Sequence, residues 1–134
     1  MSVPLRRPDD PRLWLDRAKS NLALARSRSD DIYLEDLCFE AQQAAEKAIK
    51  AVLIHLDIRF PYVHDLAELL TLLIQRGLHV SEAVKQAARL TRFAVAARYP
   101  SVMEPVAKDE YMDALHTATL VVQWASDIIE TESR

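Results

Sequence analysis

An arginine and a tyrosine at the end of a predicted helix have side chains suited to binding a nucleotide. Arg98 and Tyr99 directly precede Pro100, which ends the helix. Arginine binds phosphate through paired hydrogen bonds, and aromatic rings stack on bases. The alternative is structural, because an arginine in a last helical turn also stabilises the exposed carbonyl groups, and the tyrosine then packs. Both interpretations of Arg98 and Tyr99 stay open.

Three basic residues precede this pair on the same predicted helix. Lys85, Arg89 and Arg92 are spaced by four and three residues, so they share one face. This face is either solvated or a contact for a polyanion, with Arg92 as a ligand-binding candidate. The formal net charge of the 134-residue chain is −3, which argues against a strongly basic nucleic-acid binder.

Two further charged groups have a structural and a functional interpretation. Glu46, Lys47 and Lys50 form a helix-surface charge set, unless a cleft or a dimer covers them and makes Lys47 and Lys50 ligand-binding residues. His64 and Asp65 start a helix, because an aspartate caps free backbone N–H groups. The same two residues are also site candidates, Asp65 for a ligand and His64 for acid–base chemistry.

Several classes of chemistry lack the residues they need. Gly77 is the one glycine, so a glycine-rich phosphate loop is excluded, and Cys38 is the one cysteine, so an internal disulfide is excluded. The four histidines form no metal-binding pair, and we expect neither a metal nor a cofactor. We find no membrane-spanning run or signal peptide, which predicts a cytoplasmic protein with a reduced, buried Cys38.

Helical periodicity predicts the elements that position these side chains. Alanines recur along residues 36–56 at steps of three and four, which predicts a central helix capped by Asp30 or Asp31. Other helices are expected to begin at Asp10, Asp65 and Ser81, and a last helix spans the C-terminal region. The inward face of the fourth helix is predicted to consist of Val84, Ala87, Ala88, Thr91, Ala94 and Val95.

The fold class that follows is all-α. Five helices with short connections predict an up-and-down antiparallel bundle. Residues 1–134 form one domain in this interpretation, with residues 1–9 as a loose N-terminal arm. Phe93, Val121 and Trp124 lie outside the main apolar stripes, so we expect them to form an exposed apolar face for dimerisation.

Four stretches together resemble the HEPN domain family, named for nucleotide binding in higher eukaryotes and prokaryotes. They are Trp14 with Ala18 and Leu22, the central segment CFEAQQAAEKAIKAVL, His64-Asp65-Leu66 with Leu69 and Leu70, and Ala97-Arg98-Tyr99-Pro100. The resemblance implies a helical bundle that is commonly a homodimer. It also implies a prokaryotic gene beside a small nucleotidyltransferase, the two proteins behaving as a toxin–antitoxin pair.

Active members of this family are metal-independent endoribonucleases with an Arg-x(4–6)-His motif. The resemblance therefore implies such a motif, but no histidine follows Arg89, Arg92 or Arg98 at that spacing. Arg59 and His64 match the spacing in the connection before the third helix, outside the motif's expected place, and are the catalytic candidates.

The sequence alone leaves three functions open. The first is a homodimer that binds a nucleotide, RNA or a partner nucleotidyltransferase without catalysis. The second is a metal-independent endoribonuclease toxin with a divergent site. The third is a helical interaction domain with no nucleic-acid role. The missing motif favours the first function over the second.

Overall fold

Five helices make up the part of the chain that the computed structural model describes, residues 6–95 and 105–132. No strand occurs within these ranges. In chain order the helices are α1 (Pro11–Ala25), α2 (Leu34–His55), α3 (Leu66–Gln75), α4 (Glu82–Lys85), which continues directly as a 3₁₀ helix (Gln86–Val95), and α5 (Lys108–Glu132). The prediction of an all-α bundle with five helices is confirmed.

Helix α2 is the centre of the bundle. It contacts α1, α3, α5 and the 3₁₀ helix, and Ala41, Ala45 and Ala48 are completely buried. Alanine side chains keep the neighbouring helices close to the α2 backbone and favour helical structure. The predicted alanine-lined central helix is therefore present.

Side-chain caps begin three of the helices as predicted. Asp10, Asp65 and Ser81 each accept a hydrogen bond from a backbone N–H two or three residues further on, at 2.9, 3.0 and 3.3 Å. These bonds satisfy N–H groups that have no partner inside the helix. Asp65 therefore has a structural task at the start of α3.

The start of α2 differs from the prediction. The N-cap is Tyr33, with no side-chain hydrogen bond, so a cap at Asp30 or Asp31 is wrong. Glu35 and Asp36 lie in the first turn instead. Their negative charges interact favourably with the positive end of the helix dipole, and this turn forms without a capping side chain.

The end of α2 turns the chain back along the same helix. Asp57 has a left-handed backbone conformation (φ 57°), and the N–H of Ile58 donates to the carbonyl of Leu53 at 2.8 Å. This geometry is typical of a helix C-terminus. The following segment, residues 58–65, then returns past α2 and brings His64 to its buried side.

The fourth helical segment has a different repeat from the predicted one. Its buried residues are Val84, Ala87, Leu90 and Phe93, whereas Ala88, Thr91 and Ala94 are half-buried and Val95 is 43% exposed. A spacing of three is the repeat of a 3₁₀ helix. This repeat buries the large Leu90 and Phe93 side chains together, so the predicted inward positions at Ala88, Thr91, Ala94 and Val95 are wrong.

Contacts between α1 and α5 show that these two helices are antiparallel. Lys19 Nζ lies 2.9 Å from Glu130 Oε1, and the Tyr111 hydroxyl donates to the Ala25 carbonyl at 2.7 Å. The C-terminal part of α5 therefore lies beside the middle of α1, and its first turn lies at the end of α1. Tyr111 is buried, so its hydrogen bond also satisfies a carbonyl at the α1 terminus.

Two further expectations concern the ends and the surface of the bundle. Residues 1–9 were expected to form a loose arm, and residues 1–5 of it lie outside the described residues. Within the rest, the Arg6 side chain bonds to Asp16 on α1 at 2.8 Å. Phe93 and Val121 are 2% and 0% exposed. Because both pack inside the chain, their expected place on an exposed dimerisation face is wrong, and Trp124 packs half-buried against the core.

Candidate functional site

Three polar side chains of α2 form a row inside the protein. Gln42, Glu46 and Lys50 are four residues apart, so they stack on one face, and they are 0%, 4% and 3% exposed. Gln42 Nε2 donates to Glu46 Oε1 at 2.9 Å, and Lys50 Nζ donates to Glu46 Oε2 at 3.0 Å. Buried charges are costly unless they are paired, and here each has a partner.

His64 joins this row from the segment that returns along α2. Its Nδ1 lies 2.9 Å from Glu46 Oε1. Burial alone would raise the pKa of Glu46, but the hydrogen bonds from Gln42, His64 and Lys50 outweigh it, and the pKa is lowered. An ionised carboxylate only accepts hydrogen bonds. His64 Nδ1 therefore carries the hydrogen atom in this contact and donates the hydrogen bond to Glu46. The other ring nitrogen, Nε2, is left for the solvent or a ligand.

Aromatic rings surround the outer end of the row. Lys50 Nζ is 5.8 Å from the centre of the Phe60 ring and 5.3 Å from that of Tyr62. These distances are within the range of cation–π attraction. The Tyr62 and His64 rings meet edge to face, with centres 6.4 Å apart. Because Tyr62 is 91% exposed, its ring is a free surface beside a buried ammonium group.

A cavity of about 260 Å³ opens over this arrangement. It lies between α1, α2, the segment 60–64 and the 3₁₀ helix. Its walls contain three aromatic rings, two ammonium groups, a carboxylate, an amide and an imidazole. The lining residues are Trp14, Phe39, Gln43, Glu46, Lys47, Lys50, Tyr62, His64 and Ala94.

Lys47 is the more accessible of the two ammonium groups. It is half-buried, and its Nζ donates to the side-chain carbonyl of Asn21 on α1 at 2.8 Å. Burial is the largest cause of a lowered pKa at Lys47, and the charge of Arg17 adds to it. The partner is a neutral amide, so the positive charge of Lys47 is still free to attract an anion.

The sequence pattern of the HEPN domain family matches residues 11–129. This chain belongs to the HEPN domain family. Two crystal structures share its fold. An archaeal HEPN homologue is 25% identical, with a TM-score of 0.71 over 93% of this chain and 99% of the other. A protein from Thermus thermophilus is 27% identical, with a TM-score of 0.72 over 89% and 98% of the two chains. None of the curated proteins matches this chain.

The HEPN fold brings only some of the sequence candidates together. Lys47, Lys50 and His64 line the same cavity, whereas Arg59 is exposed and is not among its lining residues. Asp65 caps α3. Arg98 and Tyr99, the nucleotide-binding candidates at the end of the fourth helix, lie outside the described residues.

Arg92 lies in a different place. Its guanidinium bonds to Glu110 on α5 at 2.9 Å and lies 4.3 Å from the centre of the Phe93 ring. A small cavity of about 110 Å³ beside it contains Arg89 but also Glu110 and Asp113. Two carboxylates balance the two arginines, so this surface is a poorer anion site than the one at Lys47.

The described part of this HEPN domain offers little for metal or thiol chemistry. No group of three or more histidine, cysteine or acidic side chains converges in it. Burial raises the pKa of Cys38 to about 12, and the side chain is completely inaccessible. Such a thiol is a core residue, not a nucleophile. None of the described helices meets the length and hydropathy needed to cross a bilayer.

Proposed function

We propose that this HEPN domain binds a nucleotide or RNA in the cavity above α2. The observation that carries the proposal is the combination of ammonium groups and aromatic rings in one concave site, with Lys47 and Lys50 beside Trp14 and Tyr62. Phosphate binds to positive charge, and bases of any type stack on aromatic side chains. The site therefore combines the two kinds of contact that a nucleotide needs.

The two lysines have different tasks in this proposal. Lys47 exchanges its hydrogen bond with a neutral amide for a stronger, charge-assisted bond to phosphate. Lys50 is neutralised by Glu46 and almost completely covered. Its task is to hold the carboxylate that orients His64. The exposed ring of Tyr62 and the indole of Trp14 are the surfaces for a base.

Replacing Lys47 with methionine tests the proposal. Methionine keeps the apolar stem but removes the charge, and a hydrogen bond to a charged group contributes about 1.5–3 kcal/mol. We expect Lys47→Met to weaken binding of adenosine monophosphate (AMP) by about 10- to 100-fold in a calorimetric titration. Lys19→Met is the matched control, because it removes the same charge from α1 outside the cavity. Equal affinities of the wild type and Lys47→Met contradict the proposal.

We also propose that the protein forms a homodimer and pairs with a small nucleotidyltransferase, as one half of a toxin–antitoxin-like system. The support is membership of the HEPN family, together with exposed apolar side chains at Leu24 on α1 and at Met112 and Leu120 on α5. Sedimentation equilibrium tests the proposed homodimer. A monomer at micromolar concentration contradicts homodimerisation.

A metal-independent endoribonuclease is the second candidate function, and one observation favours it. Because Glu46 Oε1 pairs with His64 Nδ1, Nε2 of the neutral imidazole is an acceptor, and the His64 side chain is 46% exposed. Such a nitrogen takes the proton from an RNA 2′-hydroxyl as its oxygen attacks the adjacent phosphorus. The P–O5′ bond breaks, a 2′,3′-cyclic phosphate forms, and the leaving 5′-oxygen takes a proton from water. Incubation of RNA in EDTA tests it. Cleavage that is lost in His64→Ala supports this function, and cleavage that persists in His64→Ala contradicts it.

A further inference from the structure

A second cavity lies directly beside the first. It has a volume of about 350 Å³ and is lined by Pro8, Leu13, Trp14, Arg17 and Lys47. Trp14 and Lys47 also line the first cavity. These two side chains therefore form a common wall. We call the two neighbouring cavities together the groove, which lies along α1 and α2.

Hydrogen bonds hold the common wall in place. Trp14 Nε1 donates to the Pro8 carbonyl at 3.0 Å, and Lys47 Nζ donates to Asn21 Oδ1 at 2.8 Å. Arg17 is three residues after Trp14 on α1, so the two side chains are neighbours on the helix surface. The groove thus has an aromatic ring and a cation at its centre and a second cation in its outer half.

The two cations of the groove have no direct ion-pair partner among the described residues, although the carboxylates of Glu40 and Glu46 partly offset the lowered pKa of Lys47. Arg17 is one of the causes of the lowered pKa of Lys47, after burial, so the two cations are close enough to repel each other. Neither cation forms an ion pair with a carboxylate of residues 6–95 or 105–132. An anion bound between Lys47 and Arg17 would remove this repulsion. A phosphodiester group is such an anion.

We infer that the second cavity is the subsite for the adjacent nucleotide of a single-stranded oligonucleotide, and that this protein prefers such a chain to a mononucleotide. The inference rests on the proposed nucleotide binding in the first cavity. Each cavity is close to the lower end of about 300 Å³ for ligand sites, so each suits one nucleotide. Proteins that bind single strands combine a positive groove with aromatic stacking surfaces.

Ligands of different length test the inference. We expect the RNA dinucleotide pApA to bind the wild type at least about 10-fold more tightly than AMP, in line with the contribution of one additional stacked base. Adenosine diphosphate has two phosphate groups, as pApA has, but only one nucleoside. We therefore expect it to lack most of the increase in affinity that pApA shows over AMP. The DNA dinucleotide pdApdA shows whether the groove distinguishes RNA from DNA. A higher affinity than that of AMP, for either dinucleotide, supports the inference.

Substitution of Arg17 locates the additional contact. In Arg17→Met the affinity ratio of pApA to AMP is expected to fall at least about 3-fold, because the cation beside the additional phosphate is lost while the stacking surface of Trp14 remains, whereas Lys19→Met keeps the ratio of the wild type. Equal affinities of the wild type for AMP and pApA, or an unchanged ratio in Arg17→Met, overturn the inference but leave nucleotide binding in the first cavity intact. Absence of binding for every ligand overturns both.

Discussion

Replacing Glu46 with glutamine will lower the free energy of unfolding by about 3–5 kcal/mol, the usual cost of removing one partner of a buried ion pair. The Lys50 ammonium, 3.0 Å from Glu46 and almost fully covered, would then be a buried charge without a counter-charge. Urea denaturation followed by circular dichroism measures the loss. A loss below about 1 kcal/mol would show that Lys50 finds water in the folded protein.

An exposed pair of the same chemistry is the matched control. Glu82 Oε1 lies 3.2 Å from Lys85 Nζ, but the Glu82 side chain is 85% exposed. Exposed pairs contribute about 0–1 kcal/mol, so Glu82→Gln is expected to have little effect. In the double variant Glu46→Gln/Lys50→Met both charges are gone, and we expect more stability than in Glu46→Gln alone.

The contribution of Glu46 depends on pH in a defined direction. Its pKa in the folded protein is lowered from the ordinary value of 4.5. The stabilisation is therefore complete above the pKa of the unfolded chain, about 4.3, and is lost as the pH falls through the lower folded value. The difference in stability between the wild type and Glu46→Gln is expected to be constant near neutral pH and to shrink below about pH 4.

Replacing Phe93 with alanine will lower the free energy of unfolding by about 3–5 kcal/mol, the range for phenylalanine in a packed core. Phe93 is 2% exposed in the 3₁₀ helix. Val95 is the control, because an α-helical repeat predicts it to point inward but it is 43% exposed. We expect Val95→Ala to change the stability by less than about 1 kcal/mol.

The two substitutions together distinguish the two repeats. A large loss in Phe93→Ala with a small loss in Val95→Ala fits the observed spacing of three. The opposite ranking would indicate that residues 86–95 form an ordinary α-helix in solution. Denaturation by urea, followed by circular dichroism, measures both losses under the same conditions.

Local sequence signals predicted most of the fold. Asp10, Asp65 and Ser81 act as caps because a capping side chain bonds within its own first turn. The alanine row of α2 could be predicted for a similar reason, because the helical period of these alanines is contained in one continuous stretch of sequence. The repeat of residues 86–95 was not visible, because an α-helical and a 3₁₀ assignment each find apolar residues there, and tertiary packing of Phe93 decides between them.

The candidate site was predicted only in part. Lys47 and Lys50 were recognised as polar site residues on the condition that a cleft covers them. Whether a cleft covers these lysines depends on the path of residues 58–65, which return along α2. Helical periodicity does not predict that path. Gln42 and Trp14 were missed as members of the site. The spacing of Gln42 four residues before Glu46 was the available signal, but only burial distinguishes it from an ordinary surface pair.

The most direct test of the proposed site uses the two tryptophans of the chain. Trp14 lies in the wall shared by both cavities, whereas Trp124 on α5 lines neither. In a nuclear magnetic resonance titration with pApA, with the signals assigned from Trp124→Phe, the account predicts that the indole N–H resonance of Trp14 shifts and that of Trp124 does not. A Trp14 resonance that stays in place at saturating ligand would contradict it.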